Sequence, residues 1–161
     1  MRSLTQAFLY PGIGLLETTN LSVGRGTDTP FEWIGAPWLD GVKLAAELNA
    51  KGLRGVRFIP VEFTPKSSKF KNEKCRGVNF AITDRAAFES VKTGMAVACA
   101  LRKIHPNDWK ANDYARLLTN AETLAAVTAG KSFDEIVPMW EKELSEFRER
   151  RAKALLYTDG N

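Results

Sequence analysis

Two segments of the chain alternate apolar and polar residues in the way that half-buried strands do. Val56–Thr64 and Gly77–Thr83 are both rich in β-branched and aromatic side chains, which pack well on a pleated surface. A third segment, Phe8–Glu17, has the same enrichment, although Pro11 and Gly12 interrupt it. We therefore predict a small mixed β-sheet of three to four strands.

Helical periodicity lies between and after these segments. An amphipathic helix is predicted near Gly41–Lys51, with Gly52 as its C-terminal cap. A longer helix is predicted from about Arg85 to Ile104, with Asp84 as its N-cap. The predicted buried faces comprise Val42, Ala45 and Leu48 in the first helix, and Phe88, Val91, Met95, Ala98 and Leu101 in the second.

The C-terminal part is also predicted to be helical. A short helix lies near Ala121–Ala129, and the final helix opens with Ser132-Phe-Asp-Glu135, a capping-box pattern, with Pro138 expected to kink it. Acidic residues precede basic ones along this helix, an order that suits the helix dipole and requires no binding partner. Its predicted apolar face consists of Ile136, Trp140, Leu144 and Phe147.

These elements predict a single α/β (α+β) domain whose sheet is covered by helices and whose C-terminal helix is long. The length of 161 residues fits one domain, and 44% hydrophobic and 26% charged residues are ordinary globular values. No membrane span is predicted, since no run approaches the ~18 apolar residues that one needs. The N-terminus lacks a signal-peptide pattern. A net charge of +4 is too mild to predict nucleic-acid binding.

Several classes of chemistry are excluded by the residues that the chain lacks. His105 is the only histidine and is predicted to end a helix, so neither a catalytic His triad nor a His-rich metal site is expected. Cys99 is predicted to be a core residue, and the spacing of Cys75 and Cys99 leaves their pairing open. No complete nucleotide-binding glycine motif is present, and no cofactor is predicted.

Two polar loops carry the residues suited to binding. In Thr18–Phe31, preceded by Glu17 at a predicted strand end, Arg25 lies between two glycines and presents a guanidinium fork for a ligand carboxylate, or forms a salt bridge with Glu17 or Asp28. The second loop, Thr64–Gly77, offers hydroxyl and ammonium donors, and is otherwise an exposed basic loop. Its donors are Thr64, Lys66, Ser68 and Lys69.

Three separated stretches carry a family resemblance. They are MRSLTQAFLYPGIGLLETTNLSVGRGTDTPFEWIGAPW, RFIPVEFTPKSSKF and CRGVNFAITDR, followed by Leu155-Leu156-Tyr157 near the C-terminus. From about Met1 to Tyr157 the chain resembles the C-terminal half of exo-β-N-acetylmuramidases of the NamZ type, formerly a domain of unknown function. Members of this bacterial family are glycoside hydrolases that release terminal N-acetylmuramic acid from peptidoglycan fragments in cell-wall turnover.

The resemblance implies a partner domain as well as an activity. Family members carry a Rossmann-like N-terminal domain that holds the glutamate regarded as catalytic, and the C-terminal domain closes over that site. Because MRSLTQA matches the interior of the family, we expect a fragment, a split subunit or a late start, with the N-terminal domain supplied in cis or in trans. Members are often secreted or periplasmic, whereas this chain carries no export signal of its own.

The resemblance also implies that both polar loops line a cleft for muramic-acid-terminated saccharides. Glu17 is the candidate catalytic residue, and Arg25, Lys66 or Lys69 would pair with the lactyl carboxylate. The leading prediction is therefore a cleft-completing domain, inactive alone. The alternative is a non-catalytic glycan-binding module that uses Trp33 or Trp38. The implied substrate-binding residues are Glu17, Asn20, Ser22, Arg25, Gly26, Thr27, Thr64, Lys66 and Lys69.

Overall fold

A three-stranded antiparallel sheet forms the centre of the computed structural model, which describes residues 2–156. Its strands are β1 (Trp33–Ala36), β2 (Val56–Phe63) and β3 (Cys75–Ile82), and β3 lies between the other two. The predicted fold class is confirmed. The two strands predicted most strongly are present, but both pairings are antiparallel, whereas a mixed sheet was expected.

The register of the sheet places one end of the β2–β3 hairpin beside β1. Val56 lies opposite Ile82 at one end of the hairpin, and Phe63 lies opposite Cys75 at the other. The polar loop 64–74 connects the strands at that second end. Because β1 pairs with the other edge of β3, the residues around Trp33 and this loop lie on the same part of the molecule.

The strand predicted at Phe8–Glu17 is wrong, because this segment is helical. Helix α1 spans Leu4–Ile13 and continues into a 3₁₀ helix at Gly14–Thr18. Pro11 lies inside α1, where it removes a helical N–H donor. Ser90 bridges the disturbed turn, since its Oγ accepts a hydrogen bond from the N–H of Gly12 at 2.9 Å and donates one to the carbonyl of Leu9 at 3.1 Å.

Helix α2 (Gly41–Ala50) begins and ends as predicted. Asp40 caps it by accepting a hydrogen bond from the N–H of Lys43, and Gly52 follows it with a φ of 63°. Ala45 and Leu48 are buried, as predicted. Val42 was also predicted to be buried but is exposed, and Leu44 is buried instead.

Helix α3 (Ser90–Ile104) begins later than predicted. Asp84 does not cap it; its carboxylate instead accepts a hydrogen bond from the N–H of Ala86 in the preceding turn. Val91 is exposed, so the predicted stripe is wrong at that position. The predicted stripe residues Met95, Ala98 and Leu101 are buried.

Close backbone contact joins α1 to α3 on the helical side of the sheet. A Cβ atom at Gly94 would lie 2.4 Å from the carbonyl oxygen of Gly12, and one at Gly12 would lie 1.9 Å from the carbonyl oxygen of Ser90, so neither position has room for a side chain. Helix α2 packs on β2 and β3, and α3 packs against both α1 and α2. The apolar core lies between these helices and the sheet.

The C-terminal third consists of short helices and one longer helix. They are a 3₁₀ helix at Ala111–Tyr114, α4 (Ala115–Leu118), α5 (Ala121–Thr128), α6 (Phe133–Ile136), a 3₁₀ helix at Val137–Trp140, and α7 (Glu141–Ala152). The capping box of Ser132 and Glu135 is confirmed, and Pro138 lies in the 3₁₀ segment that interrupts the final helix. Met1 and Tyr157 lie outside the described residues. Within residues 2–156, no helix is both long and apolar enough to span a bilayer.

His105 ends α3, as predicted, and joins two parts of the fold. Its Nε2 accepts a hydrogen bond from the backbone N–H of Asp40 at 3.2 Å, and its Nδ1 lies 3.2 Å from a carboxylate oxygen of Asp108. Cys75 and Cys99 are both free and buried. Burial raises the pKa of each thiol to about 11, which makes both poor nucleophiles at neutral pH.

Candidate functional site

The two polar loops meet through backbone contacts at Gly26. The N–H of Lys66 donates a hydrogen bond to the carbonyl of Gly26 at 2.8 Å. Gly26 has a φ of 84°, and a Cβ atom at this position would lie 2.2 Å from the carbonyl oxygen of Ser67. Only glycine fits both the left-handed backbone and this close approach. The Gly-Arg-Gly turn therefore fixes Arg25 beside the second loop.

An open cleft of about 750 Å³ lies where these loops meet the sheet. Trp33 and Phe63 form an aromatic wall, with their ring centroids 5.5 Å apart. Threonine and serine hydroxyls from both loops share the cleft with basic and acidic side chains. The lining residues are Arg2, Arg25, Gly26, Thr27, Asp28, Thr29, Pro30, Trp33, Glu62, Phe63, Thr64, Lys66, Ser67 and Ser68.

Glu17 and Arg25 form a two-pronged ion pair at the edge of the cleft. Arg25 Nε donates to Glu17 Oε1, and Nη2 donates to Oε2 at 3.1 Å. Donation of these hydrogen bonds to Glu17 stabilises the charged guanidinium and raises the pKa of Arg25. The salt bridge considered from the sequence is therefore present with Glu17. Glu17 itself lies in a 3₁₀ helix, so its predicted position at a strand end is wrong.

This pair leaves part of Arg25 free to bind a ligand. A guanidinium has five N–H donors, and Glu17 accepts two of them along the Nε–Nη2 edge. Within residues 2–156, Nη1 has no hydrogen-bond partner, and the Arg25 side chain is 46% exposed. The guanidinium also lies 5.0 Å from the ring centroid of Phe31. The remaining N–H groups of Arg25 are therefore held in a fixed orientation and can donate to a second carboxylate or to hydroxyls.

Lys69 closes a smaller cavity that shares Arg25 and Ser68 with the cleft. This cavity has a volume of about 200 Å³ and also contains Glu17 and Ser22. The ammonium of Lys69 donates to the backbone carbonyls of Glu17 and Thr19 at the end of the 3₁₀ helix. Burial lowers the pKa of Lys69. This lysine therefore holds the segment that carries Glu17.

We expect Lys69→Met to lower the free energy of unfolding by about 2–4 kcal/mol, because two carbonyl oxygens lose a charged donor. Urea denaturation followed by circular dichroism measures the change. Lys66→Met is the matched control in the same loop, since the Lys66 ammonium has no hydrogen bond or ion pair within the described residues. Equal effects of the two substitutions would contradict the proposed role of Lys69.

The same lysine predicts a pH dependence of stability. Because burial disfavours its ammonium in the folded chain, the unfolded chain keeps this proton to higher pH. The free energy of unfolding should therefore rise with pH between the lowered pKa of Lys69 and the ordinary lysine pKa of 10.5. The difference in unfolding free energy between the wild-type chain and Lys69→Met should increase across this window. A flat difference would show that Lys69 titrates alike in both states.

Of the remaining predicted residues, some line the cleft and others form hydrogen bonds with neighbouring backbone. Thr27 lies in the cleft, and its Oγ1 donates to the carbonyl of Gly24 at 2.7 Å. Ser22 is buried, and its Oγ accepts from the N–H of Gly24 at 3.3 Å. Asn20 lies in neither cavity, because its side-chain amide bonds the carbonyl of Asp108 and the N–H of Lys110, each at 2.8 Å.

Some residues of the cleft, among them Phe63 and Ser67, were not predicted from the sequence, and no composition signal marks them. The β2–β3 hairpin also brings to the cleft the carboxylate of Glu62, which forms an ion pair with Lys74 at 2.8 Å. Ser68, predicted as a hydroxyl donor, lines the cleft with a φ of 67°, an uncommon backbone for a non-glycine residue. Among the described residues, no group of three or more His, Cys, Asp or Glu side chains could hold a metal ion.

Comparison with known proteins places this fold in a family. The family model described as exo-beta-N-acetylmuramidase NamZ, C-terminal, matches residues 8–157. The peptidoglycan beta-N-acetylmuramidase NamZ of Bacillus subtilis is 38% identical over 160 residues, which cover 98% of this chain and 39% of that protein. The chain thus spans about two fifths of the length of this relative.

Two crystal structures of DUF1343 family proteins from Bacteroides fragilis are similar to the whole domain. One has 26% sequence identity and a TM-score of 0.69, and the match covers 94% of this chain and 42% of that protein. The other has 25% identity and a TM-score of 0.70, and the match covers 98% and 42%. With the family model matching nearly the full length, the chain belongs to the family of exo-beta-N-acetylmuramidase NamZ C-terminal domains.

Proposed function

We propose that this chain is the substrate-binding part of a peptidoglycan exo-β-N-acetylmuramidase. It would complete the substrate cleft against a Rossmann-like N-terminal domain that carries the catalytic glutamate, supplied in cis or in trans. The proposal is supported by family membership and by one observation above all. A fixed guanidinium, a free ammonium and several hydroxyls share an open cleft with an aromatic wall.

The chemistry of this cleft suits a saccharide that carries a carboxylate. Hydroxyl groups of Thr27 and Thr64 can exchange hydrogen bonds with sugar hydroxyls, and the ring of Trp33 can pack against the apolar face of a pyranose. Muramic acid adds a lactyl carboxylate, for which Arg25 and Lys66 are charged partners. Lys69 is a weaker candidate for this role because its ammonium already donates to two carbonyls.

We assign the catalytic carboxyl group to the N-terminal domain rather than to Glu17. Glycoside hydrolysis normally uses two carboxyl groups across the scissile bond, one of which donates a proton. Both carboxylate oxygens of Glu17 accept hydrogen bonds from Arg25, which holds this group against the guanidinium rather than presenting it to a scissile bond. Asp28 and Glu62 also line the cleft and are the carboxylates of this chain that could approach a bound sugar.

Reconstitution tests the proposal directly. The purified chain is assayed for release of N-acetylmuramic acid from a chromogenic muramide, alone and mixed with the separately expressed N-terminal domain of the Bacillus subtilis relative. We expect hydrolysis only in the mixture. Hydrolysis by the chain alone would place the catalytic carboxyls here, and Glu17→Gln would then be the first variant to examine.

Binding distinguishes the second candidate function, a non-catalytic glycan-binding module. The aromatic wall and the unpaired Lys66 support this module as well as they support the muramidase, because both features serve binding and neither depends on hydrolysis. Muropeptide binding by the chain, measured by calorimetry, without hydrolysis in any mixture would support this module. If neither binding nor hydrolysis occurs, both candidates are wrong.

A further inference from the structure

Helix α7 projects an apolar strip into solvent. None of its side chains from Glu141 to Ala152 is buried, and Leu144 and Phe147 are 36% and 51% exposed. At about 1.5 Å per residue the helix is about 18 Å long. An isolated helix of this length is marginal in water. A second surface packed on this strip would stabilise it.

The strip has the spacing of a helix-pairing seam. Its residues are spaced at intervals of four, three and four, which places them on one face of the helix. They are Trp140, Leu144, Phe147 and Arg151. Trp140, at the start of this face, is half-buried and is fixed by a hydrogen bond from its Nε1 to Thr123 Oγ1 at 2.8 Å. The first position of the seam is therefore anchored to the domain.

The charges beside this seam change sign along the helix. Glu141 and Glu143 flank its first half, and Arg148 and Arg150 occupy the equivalent positions in its second half, seven residues later. None of the four forms an ion pair with another described residue. The helix dipole accounts for acidic residues first and basic residues last, but not for their placement on both sides of an apolar seam.

We propose that α7 pairs in antiparallel orientation with α7 of a second copy of this chain. In this arrangement Leu144 packs against Phe147 of the second copy, and Trp140 packs against its Arg151, a favourable contact of a cation with an aromatic face. Each flanking glutamate then faces an arginine on the other helix. A parallel pair would form only two such contacts, between Glu143 and Arg148 of the two helices, whereas the antiparallel pair forms four, so the charge pattern favours the antiparallel pair.

The resulting interface is two-fold symmetric and small. The same face is used by both copies, so the contact closes without leading to a filament. A pair of helices of this length buries less than the ~1,200 Å² typical of the smallest stable interfaces. The dimer is therefore weak and depends on protein concentration. This inference does not depend on the cleft or on muramidase activity.

Charge reversal tests the partner, and the single variant E141R tests the orientation: it should weaken the dimer, because position 141 faces Arg148 of the second helix only in the antiparallel pair. Sedimentation equilibrium of the wild-type chain should show a concentration-dependent dimer. The double variants E141R/E143R and R148E/R150E should each be monomeric, since all four flanking charges then have one sign. An equimolar mixture of these two variants should form a heterodimer, and the variant with all four changes should again form a homodimer.

Two results would overturn the pairing. One is a wild-type chain that remains monomeric at the highest soluble concentration. The other is a homodimer that survives in both double variants, since a different face would then be responsible. Circular dichroism of each variant checks that the fold is retained, and the mixture supplies a readout that does not depend on either variant alone.

Discussion

Gly26→Ala is expected to lower the free energy of unfolding by about 2–5 kcal/mol, the sum of left-handed backbone strain and overpacking. The added Cβ would meet the backbone of Ser67 at 2.2 Å, and the φ of 84° is unfavourable for alanine. The three nearest atoms all belong to the backbone of Ser67, so no flexible side chain can move aside. We expect the two loops to separate and the N–H of Lys66 to lose its partner. Urea denaturation measures the stability change.

Gly130→Ala is the matched control for this substitution. Gly130 has a nearly identical φ of 81°, but a Cβ atom there meets nothing within 4 Å. The control therefore carries the backbone strain without the steric clash, and its cost should be about 1–2 kcal/mol. Hydrogen exchange should show faster exchange at the Lys66 amide in Gly26→Ala only. Equal destabilisation by the two variants would mean that the loops do not depend on this contact.

The strands and helices that were predicted correctly have strong local signals. Val56–Phe63 and Cys75–Ile82 combine β-branched residues with alternation, and α2 has an N-cap, an apolar face and a terminal glycine. The prediction of a strand at segment 8–17 rested on its β-branched and aromatic enrichment, which Pro11 and Gly12 interrupt. In the helix that this segment forms, the hydroxyl of Ser90 accepts a hydrogen bond from the N–H of Gly12 and donates one to the carbonyl of Leu9. Because Ser90 lies far away in the sequence, no local pattern could reveal these bonds.

Strand β1 was missed for a related reason. Its four residues, Trp33–Ala36, are too few to show alternation, and Gly35 lowers strand propensity. Pairing with β3 specifies this strand, since Gly35 lies opposite Gly77 where the two backbones approach closely. Tertiary contact rather than local preference therefore decides its structure.

The two polar loops of the candidate site were predicted from the sequence, but the contacts of their individual residues were not. The family resemblance implied that both loops line one cleft, and in the structure the loops are in contact. Lys69 and Asn20, also predicted to bind substrate, form hydrogen bonds with backbone groups of neighbouring segments. The contacts of Lys69 depend on where the 3₁₀ helix ends, and those of Asn20 depend on the position of the segment around Asp108. Neither position is encoded beside the residue itself.

We expect Arg25→Ala to reduce the preference for muramic over glucosamine glycosides by about 10- to 100-fold, because a charge-assisted hydrogen bond contributes ~1.5–3 kcal/mol. This prediction rests on the proposed function and is measured as a ratio of kcat/KM values in the assembly of this chain with the N-terminal domain. Arg25→Lys should recover only part of the preference, since lysine keeps the charge but lacks the fork.

Loss of Arg25 also leaves the carboxylate of Glu17 unpaired beside the cleft, where it would repel a lactyl carboxylate. The double variant Glu17→Gln/Arg25→Ala separates this repulsion from the loss of the cation, and should be more selective than Arg25→Ala but less selective than the wild type. Lys66→Met reports whether the free ammonium shares the role. If Arg25→Ala leaves the preference unchanged while Lys66→Met removes it, the carboxylate is bound by Lys66, and Arg25 only holds Glu17 in place.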